Sequence, residues 1–202
     1  MIRKEYSAGA VKLSFWFLEF KKAVQLFYEG KTKEDIKQLS INDNIFATST
    51  KERAKQISST VTARIQSLDE SFYPFFLNSD ATTQKLFNFA AVMASDTLFF
   101  DFMYEVIRDK FILGDDKLTD SDIRVFFKRK QEQNDKAAGW TDATFDRLGR
   151  CYKSMLYEAG LATKKKGGMP QTLCKPVLDS NLQKWLETHD MELIAKAIMG
   201  AR

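Results

Sequence analysis

The sequence has little of what zinc sites, disulfides and tight turns require. Cysteine occurs twice and histidine once among 202 residues, which is too few soft ligands for a structural zinc site. Only three prolines and nine glycines are present, so long uninterrupted helices are compatible with most of the chain. Together with 17 phenylalanines that recur at helical spacing, this scarcity predicts an all-α fold and disfavours an all-β one.

Long hydrophobic runs are also missing. A membrane-spanning helix needs about 20 apolar residues, and charged residues at Glu19, Lys21 and Asp96 interrupt the most apolar segments. The first residues include basic side chains but neither an apolar stretch nor a small-residue cleavage site. We therefore expect a cytoplasmic protein that has no membrane partner.

Catalytic motifs are absent as well. The sequence contains neither the glycine-rich loop that cradles phosphates nor the G-x-S-x-G turn of serine hydrolases. Asp120 and Asp122 could hold a magnesium ion, but they begin a predicted helix, where acidic side chains favour the helix dipole. We therefore predict no catalytic residues, no metal, no cofactor and no small-molecule substrate.

The N-terminal part is predicted to be a bundle of amphipathic helices with an aromatic core. Apolar residues from Leu13 to Phe27 are spaced four, three, four and three apart and form one helical face that ends near Gly30. A capping box of Ser49 and Glu52 predicts a second long helix over about residues 50–68. A short aromatic segment broken at Pro74 precedes further apolar helices. These helices predict residues 1–114 as one domain.

Residues 115–202 are predicted to form a second domain that begins with a helix–turn–helix. Thr119 and Asp122 cap its first helix, residues 139–141 form the turn, and the second helix ends at Gly160. Residues 161–163 and 172–174 could then pair as short strands, which would make the intervening loop a winged-helix-like wing. Asp179 or Ser180 caps a last helical region.

Positive charge is concentrated in this second domain. The chain carries a net charge of +4, whereas the stretch from Arg124 to Lys166 holds eleven cationic and five acidic side chains. The net positive charge of this stretch therefore exceeds that of the whole chain. Such a concentration is compatible with an anionic partner, although solvated surface charge would give the same pattern.

The second helix has the composition of a DNA recognition helix. At 100° per residue its arginines fall opposite the apolar stripe, on a face that also carries Ala143 and Ser154. Small residues allow close approach to the major groove, and arginine can reach guanine edges or phosphates. Asp142 and Asp146 would weaken the attraction. The candidate DNA-contacting residues are Arg147, Arg150, Ser154, Lys153, Lys164, Lys165, Lys166, Lys128, Arg129 and Lys130.

Several short motifs along the chain carry a family resemblance. They include Tyr6-Ser7-Ala8-Gly9, Phe100-Asp101-Phe102, Trp140-Thr141-Asp142 and Ala159-Gly160-Leu161. The sequence resembles the BrxA family, small accessory proteins of bacterial BREX phage-defence systems. The resemblance implies a helical fold likened to the NusB antitermination family, double-stranded DNA binding, and a role beside the BREX methyltransferase, ATPase and other BREX proteins. It supplies no active-site motif, so the candidate residues rest on charge and spacing.

The prediction from the sequence is a non-catalytic accessory protein that binds duplex DNA within a phage-defence complex. Two alternatives remain open. NusB-type RNA binding would favour the N-terminal bundle as the contact surface and single-stranded ligands. An adaptor would contact only other proteins of the complex.

Overall fold

The computed structural model describes residues 3–164 and 170–202, and these residues are predominantly α-helical, which confirms the all-α class. Backbone contacts divide the chain into two compact units. Trp16–Ser95 forms what we call the central unit, and the segment up to Phe15 together with Asp96–Arg202 forms the terminal unit. A domain boundary after residue 114 stays a prediction, and the contact units divide the chain elsewhere.

The central unit packs its helices around phenylalanine rings. Phe20 on the first helix lies 5.6 Å from Phe76, and Phe72 lies 5.5 Å from Phe87, measured between ring centroids. All four rings are almost fully buried. The helices are α1 (Phe17–Tyr28), α2 (Lys33–Asn42), α3 (Lys51–Ile65), α4 (Phe72–Asn78) and α5 (Ala81–Ser95).

Three details of the predicted helices are wrong. The first helix begins at Phe17, after Leu13, because Trp16 adopts a left-handed backbone with φ of 49° that a right-handed helix cannot continue. Thr50 caps α3 instead of Ser49, since its hydroxyl accepts the N–H of Arg53 at 3.1 Å. Pro74 lies in the first turn of α4, where a missing N–H breaks no helical hydrogen bond.

The terminal unit begins with a 3-10 helix, Ala8–Lys12, which packs against the long helix α10. Gly114, with φ of 71°, ends the helical segment that starts at Thr97. The remaining elements are α6 (Thr97–Phe102), a π-helical turn (Met103–Ile107), α7 (Arg108–Leu113), β1 (Lys117–Leu118), α8 (Asp120–Gln133), α9 (Asp135–Ala138), α10 (Asp142–Glu158), β2 (Gln171–Thr172), α11 (Ser180–Thr188) and α12 (Glu192–Met199).

A small antiparallel sheet joins the segment before α8 to the segments after α10. The pairing predicted between residues 161–163 and 172–174 is confirmed, because the N–H of Thr163 donates to Thr172 and that of Cys174 to Leu161, both at 2.8 Å. The sequence did not predict a further pairing, in which β1 lies antiparallel to β2. Residues 165–169, at the tip of the predicted wing, lie outside the described residues.

The core of the terminal unit is built around Tyr152 on α10. Its ring is fully buried and lies 4.8 Å from Phe99, 5.3 Å from Phe102 and 5.7 Å from Phe127, between centroids. These contacts join α10 to α6 and α8 and fix which face of α10 remains outside. In the described parts of the chain, no single helix is long and apolar enough to cross a membrane, and Ala81–Ser95 and Thr97–Leu113 meet the criterion only when taken together.

Candidate nucleic-acid interface

Helix α10 presents a polar outer face. Thr141 caps its first turn by accepting the N–H of Thr144 at 3.3 Å, and Gly160, with φ of 83°, follows its last turn. The apolar stripe that includes Phe145 and Leu148 is buried, as predicted. The opposite face is exposed and carries Ala143, Arg147, Arg150 and Ser154.

A capping box and a lysine fix the start of α8. Thr119 and Asp122 exchange side-chain and backbone hydrogen bonds at 3.1 and 2.8 Å. Lys110 on α7 adds ion pairs to Asp122 at 3.1 Å and to Asp115 at 2.7 Å. Burial opposes ionisation of Asp122, but hydrogen bonds from Thr119 and Lys110 outweigh it and lower the pKa of this carboxyl.

An open groove of about 740 Å³ lies between α8 and α10. Its lining includes the apolar side chains of Ile123, Phe127 and Phe145, together with Gly149. A Cβ atom at Gly149 would lie only 2.9 Å from Cγ2 of Ile123. Because this glycine has no side chain, α10 can lie close against α8.

Charged side chains of both signs line the groove. The cations are Arg124, Lys128, Arg150 and Lys153, and the acids are Asp120, Asp142 and Asp146. Four cations against three acids leave only a slight positive excess. The net charge of the groove is therefore too small to attract polyanions by itself.

Arg124 is a groove residue that was missing from the candidate set. It lies four residues before Lys128 on α8, and both line the groove. Side chains four residues apart share one face of a helix. This spacing is the signal in the sequence that could have identified Arg124.

The two arginines of the outer face are available for a ligand. Arg147 and Arg150 are exposed, and neither makes an ion pair with any residue that the structure describes. Lys153 differs, because its Nζ lies 2.8 Å from Oδ1 of Asp120. The hydroxyl of Ser154 donates to Glu158 at 3.0 Å.

The three consecutive cations Lys128, Arg129 and Lys130 on α8 point in different directions. Lys128 and Arg129 are both exposed, but only Lys128 lines the groove. Lys130, also a DNA-contacting candidate, is buried instead, with an exposure of only 6%. Its Nζ binds Glu105 and lies 3.6 Å from Asp101. Consecutive helical residues point about 100° apart, so three adjacent cations could not share one surface.

The lysines of the predicted wing are only partly described. Lys164 is exposed beside the paired segment 161–163. Lys165 and Lys166 lie outside the described residues. Their role in binding stays a prediction.

Other reactive groups are scattered in the described ranges 3–164 and 170–202. No group of three or more histidine, cysteine or acidic side chains there is placed to hold a metal ion. Both cysteines are free, and burial raises the pKa of the half-buried Cys151 thiol. Cys174 is exposed.

Comparison with known proteins identifies the family. The fold and the exposed cationic face define a small helical protein with a candidate nucleic-acid interface. The BrxA family model matches residues 4–190. A relative from Bacillus cereus (strain H3081.97), named BREX protein BrxA, is 39% identical over 168 residues, which cover 83% of this chain and 84% of the relative. The chain therefore belongs to the BrxA family.

A solved structure shares the fold. An uncharacterized protein from Magnetospirillum magneticum superposes with a TM-score of 0.83 over 98% of this chain and 100% of that one. At 20% identity, this likeness shows the fold alone.

Proposed function

We propose that the chain binds duplex DNA without catalysing a reaction, as a component of a BREX phage-defence system. Membership of the BrxA family supports the place in the defence system, since the Bacillus cereus relative is named a BREX protein. The observation that carries DNA binding is the outer face of α10. There, Arg147 and Arg150 are exposed and make no ion pair with any described residue.

The order of elements around α10 supports this assignment. Helix α8, the short α9, α10 and the paired segment after it follow the order of a helix–turn–helix with a hairpin. In helix–turn–helix proteins the first helix crosses the DNA backbone and the second enters the major groove. Helix α10 would be the second helix, and the small side chains of Ala143 and Ser154 would let it approach the bases.

The roles of individual residues follow from their positions. Arg147 and Arg150 are placed to reach guanine edges or phosphates, because they project from the face opposite the core. Lys128 on α8 and Lys153 on α10 border the groove and would contact the DNA backbone. Lys164, Lys165 and Lys166 would contact phosphates beside the hairpin.

The acidic side chains of the groove oppose the binding of DNA. Asp142 and Asp146 repel phosphates and lower the affinity for any polyanion. Binding should therefore depend on the two arginines more than on the total charge of the chain. Other BREX proteins are the expected protein partners, since a non-catalytic member of such a system acts by positioning the components that it binds.

Titration of a labelled random duplex at several salt concentrations tests the proposal. The variant Arg147→Gln/Arg150→Gln should bind more weakly, and the slope of log K against log salt should fall by about 0.9 for each lost phosphate contact. The matched control, Lys21→Gln/Lys31→Gln, removes two exposed cations of the central unit. It should bind nearly as the wild type does. Equal weakening of both variants would show that only net charge matters.

Competition with single-stranded RNA separates the proposal from its alternatives. We expect duplex DNA to displace labelled duplex more effectively than single-stranded RNA does. Stronger competition by RNA would favour NusB-type binding. Absence of binding to either nucleic acid would leave an adaptor that contacts only proteins.

A further inference from the structure

Lys153 is distinct among the four cations that line the groove. Its Nζ lies 2.8 Å from Asp120 Oδ1, whereas Arg124, Lys128 and Arg150 make no ion pair with any described residue. The pair also joins the two helices of the groove, since Asp120 is the first residue of α8 and Lys153 belongs to α10. One groove cation is therefore already occupied in the unbound protein.

The exposure of this ion pair allows a ligand to replace it. The side chain of Lys153 is 21% exposed and that of Asp120 is 48% exposed. Ion pairs with this much access to water are weak, so a phosphate of bound DNA can compete for the lysine. Lys130 shows the contrast, because its side chain is only 7% exposed and it remains bound to Glu105 and Asp101.

The position of Asp120 lowers the cost of releasing the lysine. A carboxylate in the first turn of a helix is stabilised by the unpaired backbone N–H groups and the helix dipole. Asp120 occupies such a position in α8. It therefore keeps a favourable environment after Lys153 has moved to another anion.

We propose that Asp120 holds Lys153 in the unbound protein and that Lys153 exchanges this partner for a DNA phosphate when the duplex binds. This inference rests on the proposed function and adds a regulating residue to the same surface. Asp120 acts as a positioning residue that lowers the affinity for DNA. Its effect is transmitted through Lys153, and this coupling distinguishes it from the general repulsion that Asp142 exerts.

A double-mutant cycle tests the exchange. Wild type, Asp120→Asn, Lys153→Gln and the double variant are titrated with a labelled random duplex at several salt concentrations. Asp120→Asn should bind about two- to fivefold more tightly, the range that weak surface ion pairs allow. Lys153→Gln should bind more weakly and lower the salt slope by about 0.9. In the Lys153→Gln background, Asp120→Asn should increase the affinity for DNA by a smaller factor. Only the loss of a negative charge near the DNA then contributes.

Asp142→Asn, made in both backgrounds, is the matched control, since it removes the same charge from the same groove without touching the ion pair. Its effect should be equal with and without Lys153. A gain from Asp120→Asn that is equal in both backgrounds, or an unchanged slope in Lys153→Gln, would overturn the exchange while leaving duplex binding intact. Failure of the wild type to bind duplex would overturn both proposals. Asp120→Ser, which keeps a residue suited to a helix start, provides a second variant if Asp120→Asn is less helical by circular dichroism.

Discussion

The carboxylate of Asp101 accepts two hydrogen bonds from the guanidinium of Arg3, at 2.9 and 2.8 Å. The hydroxyl of Tyr6 donates a third at 2.6 Å, and Nζ of Lys130 lies 3.6 Å away. Burial, and then the hydrogen bond to Asp101, raises the pKa of Tyr6. Because Asp101 is only 4% exposed, this network fastens the N-terminal segment to α6 through a buried charge.

Replacing Asp101 should therefore destabilise the fold. We expect Asp101→Ala to lower the free energy of unfolding by about 3 kcal/mol, because it leaves the buried Lys130 with one acidic partner fewer and removes the acceptor of Arg3 and Tyr6. Asp109→Ala is the control, since Asp109 pairs with Arg108 at a side-chain exposure of 51%. That surface pair should contribute less than about 1 kcal/mol. Urea unfolding, monitored by circular dichroism, gives the free energy of unfolding of both variants. An equal loss of stability in the two variants would contradict a structural role for the network.

A second prediction concerns Gly200, which ends α12 with φ of 59°. A Cβ atom there would lie 2.2 Å from Cβ of Phe111. Gly160 also has a positive φ, of 83°, but a Cβ atom at that position would meet no described atom within 4 Å. Gly160→Ala should cost about 1 kcal/mol for the left-handed backbone. Gly200→Ala should cost about 1–3 kcal/mol more, because Phe111 must move.

Thermal unfolding of the two glycine variants measures this difference. The comparison isolates the steric contact, since both positions share the backbone penalty. A melting temperature for Gly200→Ala that equals that of Gly160→Ala would show that α12 shifts away from α7 without cost.

Much of the terminal unit could be predicted from the sequence because its signals are local. The capping box of Thr119 and Asp122 and the stop at Gly160 each depend on residues a few positions apart. The start of α1 could not be predicted in this way. Leu13 and Phe17 continue the helical spacing, but the left-handed backbone of Trp16 interrupts the helix between them.

The sequence predicted the candidate site only where the residues belong to one helix and their exposure follows from helical periodicity. The outer face of α10 follows from periodicity, and Arg147 and Arg150 are exposed as that periodicity predicted. Contacts between elements do not follow from spacing. The burial of Lys130 depends on Glu105 and Asp101, which lie more than a helix away in sequence, and the pairing of Lys153 depends on Asp120.

A third prediction concerns stability in acid. The pKa of Asp122 is lowered in the folded chain, so its ionised form stabilises the fold above the unfolded pKa of about 3.9. That stabilisation is lost as the pH falls through the lower, folded pKa. The free energy of unfolding of wild type should therefore decline more steeply below about pH 4 than that of Asp122→Asn. Asp43→Asn, which removes an exposed carboxylate, is the control. Parallel pH profiles for wild type and Asp122→Asn would contradict the prediction.

The last prediction separates two neighbouring cations on α8. Lys128 lines the groove beside α10, whereas Arg129 is exposed outside the groove lining. If duplex DNA lies against α10 and the groove, Lys128→Gln should weaken binding and lower the slope of log K against log salt by about 0.9. Arg129→Gln removes the same charge one residue later and should change both quantities much less. Fluorescence anisotropy with a random duplex measures them. Equal effects would mean that α8 contributes only net charge, and a larger effect of Arg129→Gln would place the DNA on the other side of α8.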